Sequence, residues 1–187
     1  MKRLLLIITL CLILTGCRDF TFVGRELDTV DFAMVMGIDI NPANGNVIVT
    51  LSMRRAKKSI GESGEFESIS TSAESASFFE ALKVISTWND KGIIFGHLEF
   101  VLVGEQAARE GILPLLDHYV RSYETRLTSN MLIVKDGMAK DVITTTSAQG
   151  NFLSDRLLNH LEDSKEQNYS GGIKVYELMN LIEDKLS

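Results

Sequence analysis

The chain predicts an α+β fold: a mixed β-sheet with helices packed on it, plus helices at the carboxyl end. Three observations lead there. β-rich apolar runs alternate with helix-length amphipathic segments between residues 29 and 150. The first two β-rich runs flank Asn41-Pro42-Ala43-Asn44-Gly45, whose Asn-Gly pair is a turn signal. From residue 151 onward the apolar spacing is helical.

Residues 1–16 read as a leader to be removed. Met1-Lys2-Arg3 is basic, Leu4 to Leu14 is apolar, and small residues follow. The apolar run falls short of the roughly 20 residues a spanning helix needs. Leu14-Thr15-Gly16-Cys17 is the pattern that lipoprotein signal peptidase reads, with the cut between Gly16 and Cys17. Cys17 is therefore expected to carry diacylglycerol, which anchors stably because two acyl chains gain about 0.8 kcal/mol per buried CH2. Cys11 leaves with the leader, so the mature chain has one cysteine and no intrachain disulfide.

Residues 17–28 form the lipidated tether. Phe32 to Ile40 and Val47 to Met53 are the first two strands, paired as an antiparallel hairpin. Arg54 to Gly64 is charged and glycine-bearing, hence a loop, and Phe66 to Ser70 is a shorter strand. Thr71–Glu74 and Ser77–Glu80 both match the capping box, and one of them starts a helix reaching Trp88. Phe78, Leu82 and Ile85 share a face of it, and Trp88 is expected as a core anchor or lid.

Leu98 to Val103 is apolar on both faces apart from Glu99, as in a central strand, and Gly104 ends it. A helix starts at Glu105 and runs to Arg109, Gly111 interrupts it, and Pro114 suits the first turn of a second piece. Leu115, Leu116, Tyr119 and Val120 give that piece its apolar face. Asn130 to Val134 is a strand, Asp136-Gly137 a turn, and Met138 to Ile143 a helix. After a polar break from Thr144 to Asn151, the helical extension of residues 151–187 holds Phe152–Leu161 and Val175–Leu186. The stripe Val175, Met179, Ile182 and Leu186 is expected either to fold back onto the sheet or to meet another protein.

The net charge is −6, and near −8 once Lys2 and Arg3 leave with the leader. That balance opposes nucleic-acid binding and attraction to anionic headgroups. His97, His118 and His160 stand at no metal-ligand spacing, and neither HExxH nor CxxC occurs. His97-x-Glu99 is half a deaminase signature without its cysteine half. His97 is read instead as a hydrogen-bonded structural residue beside the strand. There is no GxSxG elbow, P-loop or GxGxxG, and Gly171-Gly172 is a turn. No enzyme chemistry, metal, cofactor or small-molecule ligand is predicted. A binding or assembly role remains.

Several segments together resemble the C subunit of bacterial spore germination receptors, the Ger(x)C-type lipoproteins. They are the lipobox, Arg25-Glu26-Leu27, Met36-Gly37-Ile38-Asp39, and Phe95-Gly96-His97-Leu98 running on to Gly104-Glu105. Ala108-Arg109-Glu110-Gly111, Asp117, Arg121 and Glu124-Thr125-Arg126 follow in the family's order. The likeness covers the amino-terminal part of the family pattern, and full-length C subunits continue into further mixed α/β domains. Arg18 stands where the family usually has Trp after the lipidated cysteine. The resemblance implies a lipid-anchored accessory scaffold on the extracytoplasmic face of the spore's inner membrane. It joins integral-membrane A and B subunits of a nutrient (germinant) receptor. The motif positions Gly37, Gly96, His97, Gly104, Glu105, Arg109, Gly111 and Arg126 are then expected to be structural. Rival readings are an extracytoplasmic solute-binding lipoprotein, for which the chain is short, and an envelope hydrolase, which the missing motifs disfavour.

Overall fold

A computed structural model describes residues 29–57, 65–112, 114, 119, 126–166 and 172–186. The leader, Gly16, Cys17, the tether, Leu115, Leu116 and Val120 lie outside the described residues. β1 (Val30–Ile40), β2 (Val47–Ala56) and β3 (Phe66–Ser75) form an antiparallel meander. α1 (Phe78–Trp88) carries the chain back along one face to β4 (Gly92–Ile94) and β5 (Phe100–Gly104). Both strands pair in parallel with the free edge of β1, β4 against Val30–Phe32 and β5 against Val35–Ile38. α2 (Glu105–Glu110) follows, then β6 (Asn130–Val134), parallel to β5. α3 (Ala139–Ala148), α4 (Leu153–Glu166), β7 (Ile173–Lys174) and α5 (Val175–Leu186) complete the order. The result is a mixed seven-stranded sheet in the order β3-β2-β1-β5-β6-β7, with β4 beside β1 off this path and helices on both faces.

Alternation of side chains gives each face its own core. On one face Met36, Ile38, Leu51, Met53, Val101 and Val103 bury against Phe78, Ala81 and Ile85 of α1. Tyr119 and Val175 close the same cluster. On the other face Val35, Phe100 and Leu102 meet Ala139 and Ile143 of α3 and Leu153 of α4. All five residues of β5 are buried, as its two-sided apolar run requires.

Several boundaries differ from the sequence reading, each for a tertiary reason. β2 runs on through Arg54 and Arg55 to Ala56, because Arg55 pairs with Asp31 across the strands. β3 continues to Ser75, so Thr71–Glu74 is strand; its serines and threonines lie along β2, where Thr50 and Ser72 share a hydrogen bond of 2.9 Å. The helix starts from the other capping candidate: the Glu80 amide donates to Ser77 Oγ at 3.2 Å. α3 extends through the expected polar break, with Thr144 and Thr146 hydroxyls donating to carbonyls one turn back. β4 and β7 pair over only a few residues and carry no period of their own.

Trp88 is not a core anchor: it is 80 % exposed, at the carboxyl end of α1. In α5 Val175 is buried, Leu178 and Met179 pack partly on the first core, and Leu181 is exposed. The helix therefore folds back at its first turns.

Candidate functional site

The motif residues gather at the two ends of β1. At the upper end, where β1, β5 and β6 finish, Asp39 is 1 % exposed. It accepts hydrogen bonds from the Ala139 amide at 2.8 Å and the Lys140 amide at 2.9 Å. Met138, the residue that precedes α3, offers its helix no side-chain cap. Asp39 thus supplies, from another element, the carboxylate that the first amides of α3 need. Burial pushes the Asp39 carboxyl above its ordinary value, and the two amides offset this only in part.

Two glycines make that contact fit. A Cβ on Gly104 would stand 2.0 Å from Asp39 Oδ1, and one on Gly37 would stand 2.8 Å from Ile143 Cδ1. Beside them Glu105 Oε2 accepts the Asp136 amide at 2.7 Å, while Glu105 Oε1 takes Arg109 Nε at 2.9 Å. The Asp136 amide and the Arg109 guanidinium hold the Glu105 carboxyl below its ordinary value. Gly111 closes α2 at φ 113°.

At the lower end, where the chain enters β1, Asp31 is fully buried. It takes Arg55 Nε at 2.9 Å and Nη2 at 2.7 Å, and Asn89 Nδ2 at 2.9 Å. Arg55 reaches on to Asp90 at 2.6 Å. Burial pushes the Asp31 carboxyl up, but the bonds from Arg55 and Asn89 outweigh it, and the net shift is downward. The same pairing pushes the Arg55 guanidinium up.

Asp31 and Asp39 are an even number of residues apart, yet they serve opposite faces. A bulge between Ala33 and Val35 shifts the phase of the strand. Asp31 therefore joins the α1 side and Asp39 the α3 side.

Gly96 and His97 form an exposed turn at this lower end. The His97 ring stands edge-on to Phe32, 5.2 Å between centroids. Among the described residues that aromatic contact takes the place of the expected hydrogen bond. The Arg126 side chain is exposed, and its carbonyl accepts from Tyr119 Oη at 3.0 Å and Ser129 Oγ at 2.7 Å. Arg54 pairs with Asp155 and lies over the Phe152 ring at 4.5 Å. Nearby, Glu99 Oε2 is buried without a hydrogen-bond partner among the described residues, and burial raises its carboxyl.

The structure brings Gly37, Gly104, Glu105 and Arg109 into one region and leaves Gly96, His97 and Arg126 at the other. Asp31, Arg55 and Asn89 were missed by sequence reading; the only signal was a charge flanking an apolar run. Among the described residues no group of three His, Cys, Asp or Glu could hold a metal ion. None of the described helices is long and apolar enough to cross a membrane. A depression of about 670 Å³ opens at the lower end, lined by Thr29, Arg55, Lys57, Glu67, Asp90 and Lys91 among others.

The chain is 28 % identical over 141 residues to YfkR of Bacillus subtilis (strain 168), named as a candidate spore germination protein. That match covers 73 % of this chain and 35 % of the relative, so the chain spans about a third of its length. No solved structure matches the chain. The family described as "Spore germination protein N-terminal domain" matches residues 24–187, which include both ends of β1 and all the helices described above; the chain belongs to that spore germination family.

Proposed function

We propose that the chain is the lipid-anchored accessory subunit of a germinant receptor, acting in spore germination by binding membrane-embedded partner subunits of the A and B types. The observation that carries this is positional. The family match begins at residue 24, a short tether beyond the lipobox Leu14–Cys17. Residues 1–16 are the leader, 17–28 the tether, 29–150 the sheet domain and 151–187 its helical extension. Cys17 carries diacylglycerol on the extracytoplasmic face. Gly37, Gly96, His97, Gly104, Glu105, Arg109, Gly111 and Arg126 serve the scaffold, and the role is assembly without catalysis. Support for the scaffold assignment comes from Gly37 and Gly104, where an added Cβ would collide with packed atoms of Ile143 and Asp39.

Mass spectrometry of the membrane-extracted protein is expected to find diacylglycerol on an amino-terminal Cys17. Cys17→Ala is expected to release the protein from membranes or stall its processing. Affinity capture from spore membranes is expected to bring multispan receptor subunits with it. A Cys17→Ala protein that stays fully membrane-bound, or capture without such subunits, overturns the corresponding half of the proposal.

A further inference from the structure

We propose that the lower end of the sheet rests on the lipid surface, with the Trp88 indole seated among the headgroups. This deepens the reading above and rests on its anchor. Trp88 is 80 % exposed, while Phe78 and Ile85 of the same helix are buried. An indole is a large apolar ring with one polar N–H, a shape that favours the boundary between headgroups and hydrocarbon.

Its location selects the occupant. Asn89, the next residue, donates to Asp31 and to the Lys91 carbonyl. Gly92 then pairs with Val30, the first residue of β1. Trp88 therefore belongs to the rim at which the chain arrives from the tether. Residues 17–28 can span no more than about 40 Å. An anchor on Cys17 joins the fold at this rim, so the rim is the part of the sheet that it brings nearest the bilayer. Phe66, 39 % exposed at the start of β3, lies at the same end.

Charge does not provide the attraction. Arg55 is matched by Asp31 and Asp90 and Lys57 by Glu65, and the other described charges lining the depression, Lys91 and Glu67, are of opposite sign. The contact is interfacial and apolar, so it needs no anionic lipid and resists salt.

Trp88 is the only tryptophan in the chain, and Cys17 is the only cysteine after the leader. The mature chain beginning at Cys17 is coupled through that thiol to maleimide lipid in phosphatidylcholine vesicles. Emission is expected to shift to the blue on coupling and to be quenched by lipids brominated near the headgroup end of the chain, at low and high salt alike. Trp88→Phe with Phe79→Trp moves the reporter about 14 Å along α1, to its other end, and is expected to escape quenching. Unchanged, unquenched emission from Trp88 overturns the proposal, as does equal quenching at both positions. A blue shift without lipid quenching, seen only when receptor membrane proteins share the vesicle, assigns the rim to a protein and also overturns it. Because the coupling is chemical, docking of this chain stands even where protein from cells proves unlipidated.

Discussion

The two ends of β1 each bury one aspartate and solve the problem in opposite ways. At the upper end Asp39 forms no ion pair among the described residues; it faces two backbone amides, and two glycines give it room. At the lower end Asp31 meets Arg55 and Asn89 side chains, and larger neighbours surround it. A backbone partner demands a fixed approach, so the upper end tolerates no added atom. A side-chain partner can swing, so the lower end tolerates change but depends on charge. The difference shows why four of the family-pattern residues crowd the upper end, while the lower end is free to carry exposed groups such as Trp88.

The sharpest break of this contrast is Gly104→Ala. Its methyl group meets a carboxylate oxygen at 2.0 Å, and overpacking of that kind is expected to cost about 3 kcal/mol or more. Adding Asp39→Ala to Gly104→Ala is expected to recover part of the loss, so the two changes are strongly non-additive in chemical denaturation. Simple addition of the two costs would mean that the glycine and the aspartate do not depend on each other. Asp31→Ala comes next. It strips Arg55 of its buried partner and leaves Asp90, which implies a loss of about 3 kcal/mol by the same measurement.

Acid titration is expected to separate the ends by sign. Asp31 has a folded value below its unfolded one, so its stabilisation is present above the unfolded value and disappears as pH falls through the folded value. Asp39 is raised, so its contribution is complete below the unfolded value and is lost as pH rises through the folded one. Asp31→Asn should therefore flatten the acid limb of the stability curve, and Asp39→Asn should remove a loss on the rising side. The same slope in both variants would break the comparison. Smallest of all are the exposed groups. His97→Ala should cost about 0.5–1.5 kcal/mol for its ring contact, and Trp88→Ala no more than about 0.5 kcal/mol of thermal stability.

Much of the sheet was legible because its strands bury whole faces. Val35 to Ile38, Val47 to Leu51 and Val101 to Val103 are apolar runs that could hardly sit elsewhere. Thr71 to Ser75 were not legible as strand, since Thr71–Glu74 also fits a capping box and Ser72 meets the Thr50 hydroxyl of β2 and not a core. The site was half legible. Gly37, Asp39, Gly104 and Glu105 stood out in the family pattern, but nothing local says that a carboxylate on β1 caps a helix a hundred residues later. Asp31 and Arg55 lay outside that pattern because side-chain pairing across strands leaves no spacing to read. Trp88 was misread because an indole is usually buried, whereas here it is the last residue of α1, beyond the buried Phe78, Ala81 and Ile85.

β1 is both the first strand and a central one, held by β2 along one edge and by β4 and β5 along the other. With the anchor proposed on Cys17, a pull from the membrane enters the sheet along this strand's axis. The backbone hydrogen bonds on both edges lie across that axis, so they share the load and must yield together. Had the tether led into β3 at the edge, the same pull could have peeled one row of bonds at a time. The order of strands therefore lets the domain take tension along β1 from the proposed anchor without unravelling from that end.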